Sequence, residues 1–496
     1  MSYINNLTIH ERKYGGARSA TAILTDMVMA HMTAARLESC TGGTLAAGSG
    51  AAGFSSISID TRTLHPGDLF FAIRGARDDG HNHVPAALHK GAAGAVVGLD
   101  YDPAGFPNDR ILLRVRDTHQ ALKDTAAAVR REWRGTLIAI TGSMGKTTTK
   151  EFAAHVLQTE FSVHRSPGNH NNLYGLPLAI FGLSPDDHIG IFEMGMSARG
   201  EIAEMCRIAA PEIGVITNVA PVHLAFFSSI EEIALAKGEL AEALPPDGTL
   251  VYNADDPHVR RIADRFAGHK VSFGLSPDAD ARADEIETVS LQETRLRLSC
   301  SGFSRRAILP LAGLHYVMDV LPAVALADYY RIDLDQIVDS LRHLSQTHMR
   351  GQILRFAQGF TAVDDSYNSN PRALMQMIDT IAGISSCRRR ILVAGEMLEL
   401  GKEAEALHHS CGAWAARRGM DIVVAVQGAA KELALGAVAA GMPESQVHFF
   451  TEVNPATDFV SRNVKDGDLL LIKGSRGVHL EKMVQALRSY HTELVD

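Results

Sequence analysis

Two glycines, an ammonium and three hydroxyls fall within seven residues at Gly142-Ser143-Met144-Gly145-Lys146-Thr147-Thr148. This turn follows an apolar run, Leu137-Ile138-Ala139-Ile140, and precedes a stretch of helical composition, Thr149 to Gln158. Strand, glycine-rich turn, Lys-Thr and helix is the order of a phosphate-cradling loop. Glycine lets the backbone approach phosphate closely and turns several N–H groups inward. The start of the following helix adds partial positive charge. Lys146 can neutralise a transferring phosphoryl group, and the Thr147 hydroxyl can hold Mg2+. The pattern therefore predicts binding and cleavage of a nucleoside triphosphate. Ile140 stands where the common loop has its first glycine, so the spacing is short. A short loop speaks against a GTPase switch or a motor ATPase.

A triphosphate site also needs hard oxygen ligands for its metal. Glu193 follows the apolar run Ile189–Phe192, at the carboxyl end of a strand, where open α/β sheets place their ligands. His223 ends Thr217-Asn218-Val219-Ala220-Pro221-Val222-His223, again just past a strand; taken alone, one of 22 histidines reads as structural. Lys237, in Ala236-Lys237-Gly238-Glu239, reads on its face as one more helical lysine. Ser166-Pro167-Gly168-Asn169-His170-Asn171-Asn172 offers many uncharged hydrogen-bonding groups, although turns favour Asn and Gly in any case. Asp364-Asp365-Ser366-Tyr367-Asn368 and Lys473-Gly474-Ser475-Arg476-Gly477 each follow an apolar strand. Lys473 and Arg476 at a strand end could grip a carboxylate or phosphate, the arginine bidentately.

These residues need a scaffold of several parallel sheets. At 496 residues the chain has room for three domains of about 150 residues each. Apolar content of 46% and charged content of 21% are those of a globular protein with ample core. A net charge of −9 without a basic cluster argues against a nucleic-acid surface. Arg388-Arg389-Arg390 is short and reads as a solvated strand entrance. The five cysteines are scattered without Cys-x-x-Cys spacing, so they predict reduced thiols in a cytoplasmic protein rather than disulfides or zinc. No apolar run reaches the ~18 residues of a membrane helix. Residues 1–32 read as an extension with an amphipathic helix at Ala20 to Met32.

Residues 33–134 predict a small α/β unit, with strands at Ser56–Ile59, Leu69–Ile73 and Ala95–Val97 and a helix over Leu122 to Trp133. Residues 135–345 alternate strand and helix as a parallel sheet does, with strands at Leu137–Ile140, Ile189–Phe192, Val215–Thr217 and Leu250–Tyr252. Polar/apolar alternation over 285–310 predicts an antiparallel flap, and Val317 to Tyr330 a closing helix. Residues 346–496 repeat the α/β pattern.

In order along the chain, these stretches resemble the Mur ligases. The resemblance rests on Ser58-Ile59-Asp60-Thr61-Arg62, Pro66-Gly67-Asp68-Leu69-Phe70, the phosphate loop, Gly168-Asn169-His170-Asn171-Asn172 and Glu193-Met194-Gly195. It continues through Asn218 to Leu224, Ala236-Lys237-Gly238-Glu239, Asp364 to Pro371, Gly395 to Gly401 and Lys473-Gly474-Ser475-Arg476. Asp-Asp-Ser-Tyr-Asn and Lys-Gly-Ser-Arg point, within the family, to the member that joins D-alanyl-D-alanine to UDP-N-acetylmuramoyl-tripeptide. The resemblance implies a small N-terminal UDP-substrate domain, a central P-loop parallel-sheet ATPase domain and a C-terminal Rossmann-like domain. It implies an ATP-dependent ligase that phosphorylates the tripeptide carboxylate and lets the dipeptide amine displace phosphate. A monomer with no nucleic-acid partner is expected.

By the same resemblance, Lys146 holds the γ-phosphate, with Gly142, Ser143, Met144, Gly145 and Thr148 completing the nucleotide loop. Thr147 and Glu193 hold one Mg2+ and His223 helps hold a second. Lys237 matches the lysine that the family carbamoylates, turning a cation into a metal-binding anion. Asp60, Thr61 and Arg62 belong to the UDP-gripping domain, Asn169 and Asn172 contact substrate, Arg350 and Asp365 reach the nucleotide after domain closure, and Lys473, Ser475 and Arg476 border the peptide site. Three stretches depart from the family pattern. His223-Leu224-Ala225 lacks a carboxylate after the histidine, and Gly395-Glu396-Met397 has Glu for Asp. Gly313-Leu314-His315-Tyr316 puts Tyr where the family's Asn meets adenine. A ligase adding the third, diamino-acid residue is the nearest alternative, but its Asp-Asn-Pro-Arg stretch is missing; an NTP-driven switch would need no third α/β domain.

Overall fold

The computed structural model describes residues 32–75, 77–221 and 226–494. Nearly all of the expected N-terminal extension, and His223, lie outside the described residues. The rest divides into two units: residues up to Ala121 with Phe181–Asp186, and Leu122–Ile180 with Asp187–Asp496.

The first unit holds β1 (Thr44–Ala47), β2 (Ile57–Ser58), β3 (Leu69–Phe71), β4 (Gly94–Gly98) and β5 (Ile111–Val115), in the order β1-β5-β4-β3-β2. All neighbours are parallel except β1, which runs antiparallel to β5. β3 and β4 are buried along their whole length, as strands covered on both faces must be. Phe70, Val84, Ala95, Val97 and Leu112 form the core.

The second unit contains two sheets. The larger has β6 (Thr136–Thr141), β7 (Val163–Arg165), β8 (Ile189–Glu193), β9 (Ile213–Ile216), β10 (Thr249–Asn253), β11 (His269–Gly274), β12 (Ala281–Ser290), β13 (Glu293–Cys300) and β14 (Phe303–Leu309). Their order is β14-β13-β12-β11-β10-β9-β6-β8-β7. From β7 to β11 every pairing is parallel, and strand order reverses around β6, which sits between β8 and β9. That reversal opens a crevice at the carboxyl ends of β6, β8 and β9, the place where such sheets bind ligands.

The antiparallel segment expected as a flap is instead part of this sheet. β12 joins β11 in parallel through Phe273↔Ala281 and Gly274↔Arg282, and only then turns back through β13 and β14. Its inward side chains Ala283, Leu296, Leu298 and Leu309 enter the same core as Ile191 and Val215, so the alternation marks a one-sided extension of the sheet. The helix Leu314–Tyr329 lies against that core, with Val320, Leu321 and Val324 fully buried.

The third sheet comprises β15 (Gln352–Phe356), β16 (Thr361–Asp365), β17 (Arg389–Gly395), β18 (Ile422–Val426), β19 (Val447–Phe450), β20 (Asp468–Lys473) and β21 (Glu493–Leu494), ordered β19-β18-β17-β20-β16-β15-β21. The loops after β16, β17 and β20 meet at its carboxyl edge. Burial pushes the Cys206 and Cys411 thiols up to about 12, and none of the five cysteines is in a disulfide. No helix among the described residues is long and apolar enough to cross a membrane.

Candidate active site

The phosphate loop leaves β6 and enters the helix Lys146–Leu157 directly, three residues before the sequence-predicted start. Lys146, Thr147 and Thr148 thus sit in the first helical turn, where backbone N–H groups have no intrahelical acceptor. Gly145 caps this helix at φ +80°, and a Cβ there would lie 2.0 Å from Asp319 Oδ1. Gly142 has φ +154°, and its Cβ would meet Thr217 Oγ1 at 1.9 Å. Both positions admit only glycine.

A brace from the segment after β9 supports the loop. Ser143 N donates to Asn218 O at 3.0 Å and Met144 N to Asn218 Oδ1 at 3.0 Å. Met144 O accepts from Thr217 Oγ1 at 2.6 Å and from Asn218 Nδ2 at 3.1 Å, while Ser143 Oγ donates to Ala220 O at 3.1 Å. The amides of Ser143 and Met144 are therefore spent on shaping the loop, which leaves the helix start as its anion-binding end.

Glu193, the last residue of β8, accepts Thr147 Oγ1 on one carboxylate oxygen at 2.7 Å and Asn171 Nδ2 on the other at 2.9 Å. The sequence pattern pointed to Asn169 and Asn172, whereas the residue of this turn that meets Glu193 is Asn171. Asn169 is exposed, and Asn172 Oδ1 accepts the N–H groups of Tyr174 and Gly175 at 3.1 and 2.9 Å. Lys150 was also missed. It is fully buried on the loop's own helix, and its ammonium donates to Ser166 O at 2.6 Å and Gly168 O at 3.0 Å, pinning the Asn-rich turn. No local pattern singles out either residue; only the meeting of β7, β8 and the helix reveals them.

Lys146 Nζ donates to Gly142 O at 2.8 Å. Burial lowers its pKa, with Glu193 opposing the shift and Arg350 adding to it. Lys237, from the helix Ile230–Ala243, is 2% exposed and has no hydrogen bond or ion pair among the described residues. Burial, reinforced by the Lys146 ammonium, holds it well below the ordinary lysine value. Among the described residues no three His, Cys, Asp or Glu side chains cluster as a metal site.

Arg350 crosses from the segment before β15 and donates from Nη2 to Thr147 Oγ1 at 3.1 Å. Its guanidinium lies over the Tyr367 ring, 4.2 Å from the centroid. Asp319 faces Gly145; burial raises its pKa well above the carboxylate range, with Arg350 opposing. Tyr316 is buried with its hydroxyl donating to Arg350 O at 2.7 Å.

At the third sheet's edge, Lys473 Nζ bonds Asp365 Oδ2 at 2.6 Å and Asn368 O at 3.0 Å. Ser475 Oγ accepts Leu398 N at 2.9 Å, and Arg476 Nη1 donates to Met349 Sδ at 3.3 Å. Burial, with Lys473 adding, pushes His315 down to about 3. Glu396 Oε1 accepts Ala429 N at 2.9 Å, and a Cβ on Gly428 would strike its carboxylate at 2.2 Å.

In the first unit, Asp60 and Arg62 pair within one exposed turn, Nη2 to Oδ2 at 2.6 Å. The Arg62 hydrogen bond lowers the Asp60 pKa to about 2. Thr61 O accepts Lys90 Nζ at 2.7 Å. Thr147, Glu193, Arg350 and Lys146 therefore converge, within electrostatic reach of Lys237, while Asp365, Lys473, Ser475 and Arg476 form a second group.

Residues 54–130 match the family model "Mur ligase family, catalytic domain", 140–327 the "Mur ligase middle domain" and 349–476 the "Mur ligase, glutamate ligase domain". The UDP-N-acetylmuramoyl-tripeptide–D-alanyl-D-alanine ligase of Bacillus subtilis is 33% identical over 431 residues, covering 87% of this chain and 92% of that protein. The Escherichia coli protein of the same name is 32% identical over 441 residues, 88% of this chain and 94% of its own. Among solved structures, MurF from Acinetobacter baumannii superposes with a TM-score of 0.82 at 28% identity, covering 92% of this chain and 98% of that one. MurF from Thermotoga maritima, in complex with ADP, gives 0.77 at 25%, covering 88% and 97%. With a braced phosphate loop, three α/β sheets and relatives matched along most of their length, the chain belongs to the Mur ligase family.

Proposed function

We propose that this chain is an ATP-dependent, ADP-forming ligase that joins D-alanyl-D-alanine to UDP-N-acetylmuramoyl-tripeptide, the last cytoplasmic step toward the peptidoglycan pentapeptide precursor. The observation that carries this reading is the convergence of Lys146, Thr147, Glu193 and Arg350 at the carboxyl ends of β6 and β8. A free carboxylate is a poor electrophile. Transfer of the γ-phosphoryl group to the tripeptide carboxylate oxygen releases ADP and leaves an acyl phosphate. The dipeptide amine then attacks the acyl carbon, loses a proton, and phosphate departs as the amide forms.

In this reading residues 33–134 hold the UDP moiety through Asp60, Thr61 and Arg62, residues 135–345 hold ATP, and residues 346–496 present the dipeptide. Lys146 and the first helical turn hold the triphosphate, and Arg350 stabilises its charge. Lys473, Ser475, Arg476, Asn169 and Asn172 line the peptide side. The donor set fits Mg2+: Thr147 and Glu193 already share a hydrogen bond and offer hard oxygens. His223 and a carbamate on Lys237 would help hold a second ion. When bound, Mg2+ offsets charge on the transferring phosphoryl group.

Two measurements follow. Phosphate release with ATP and UDP-N-acetylmuramoyl-tripeptide should require D-alanyl-D-alanine; release driven by a single amino acid instead would refute the assignment. Asn171→Ala should raise the Mg2+ concentration for half-maximal rate about tenfold, the effect typical of losing a residue that orients a metal ligand. An unchanged Mg2+ titration would remove Asn171 from the site.

A further inference from the structure

Arg350 reaches the phosphate loop from a segment that is itself held in place by the central helix. Two side chains one turn apart on the helix Leu314–Tyr329 face it, Tyr316 and Asp319. The Tyr316 hydroxyl donates to the backbone oxygen of Arg350 at 2.7 Å. The next residue, Gly351, has φ +72°, and a Cβ there would lie 2.1 Å from the same hydroxyl. The backbone therefore comes against the tyrosine so closely that only glycine fits. The Tyr316 ring is itself fixed, 4.2 Å from His315 and 6.3 Å from Phe152 between ring centroids.

From that anchored backbone the Arg350 side chain extends to Thr147 Oγ1 at 3.1 Å, stacked on Tyr367. Tyr367 is tied back to the same segment, its N–H donating to Met349 O at 3.2 Å. Asp319, one turn further along the same helix, packs against Gly145 of the phosphate loop. A long flexible arginine loses much side-chain entropy on docking, and fixing its Cα reduces the arc it must search.

We infer that Tyr316 is a positioning residue for phosphoryl transfer: its hydroxyl clasps the Arg350 carbonyl and so delivers the guanidinium to the phosphate loop. This role rests on the reading that Arg350 acts at the nucleotide. It gives the tyrosine at this position a task at the junction of the second and third sheets instead of a contact with the base.

The test is a double-mutant cycle on the full-length enzyme, with Tyr316→Phe, Arg350→Ala and the pair, reading kcat, KM for ATP and Tm. Tyr316→Phe keeps the ring and removes one hydrogen bond. It should lower kcat about tenfold, leave KM for ATP within about twofold and hardly move Tm. Arg350→Ala should cost about 100-fold in kcat, and the pair should be no worse than Arg350→Ala alone. If Tyr316→Phe slows both backgrounds equally, or leaves kcat unchanged while Arg350→Ala does not, the clasp is refuted and the nucleotide role of Arg350 stands. If Arg350→Ala keeps full kcat, the nucleotide role falls and the clasp with it.

Discussion

Lys146→Met should lower kcat by on the order of 1,000-fold and leave the fold intact. Methionine keeps the apolar stem and the helix propensity, so only the ammonium is lost. That ammonium begins the helix Lys146–Leu157, at the end where anions are already favoured. Negative charge shifts during phosphoryl transfer, and a preorganised cation in a water-poor site acts on it far more strongly than in solution. A single neutral donor of this kind is worth roughly 100- to 1,000-fold, and a charged one belongs at the top of that range. The structural cost is small because Lys146 bonds only a carbonyl of its own loop, at 2.8 Å. Single-turnover quench should show no acyl phosphate, with Tm close to that of the parent. Acyl phosphate formed within tenfold of the parental rate would exclude Lys146 from the chemistry.

Lys237→Ala should cost as much, and the parent enzyme should depend on carbon dioxide. A carbamate forms when a neutral amine attacks CO2 and loses a proton; an ammonium cannot do this. Burial and the neighbouring Lys146 favour the neutral amine, since they push the Lys237 pKa down. Carbamoylation turns this neutral amine into an anion, which the Lys146 charge favours. Stripping CO2 should lower the rate severalfold, and bicarbonate should restore it. A short carboxylic acid should return part of the activity to Lys237→Ala, because it can occupy the space of the missing carbamate. A rate indifferent to CO2, together with a variant that no carboxylate rescues, would rule out the modification.

Local chemistry made the phosphate loop readable, since its strand, glycines and helix are contiguous. Glu193 was readable from its place at a strand end. The residues that hold these two in position were not, because each acts across the fold. Asn218 meets Met144 from 74 residues away, and Tyr316 meets Arg350 from 34. Lys150 carries no local signal in its helical stretch, yet it is fully buried and holds the Asn-rich turn. Among the strands, β5 escaped notice because Ile111-Leu112-Leu113 lacks alternation, and β1 because it is a four-residue edge. The alternation over β12 to β14 was legible; its continuity with β11 depends on a two-residue parallel contact.

That same extension has a consequence for how the protein survives at high concentration. An open nine-stranded sheet ends in two rows of backbone groups able to recruit another chain. One end is β7, only three residues long, which offers little template. The other is β14, whose outer residues include Arg305 and Arg306, with Arg305 ion-paired to Asp335 on the helix Leu334–Leu341. Like charges on a second copy would oppose each other along that strand, and the helix occupies part of the approach. The antiparallel addition thus moves the sheet's exposed border away from the apolar parallel strands and ends it in cations, a built-in barrier to edge-to-edge aggregation.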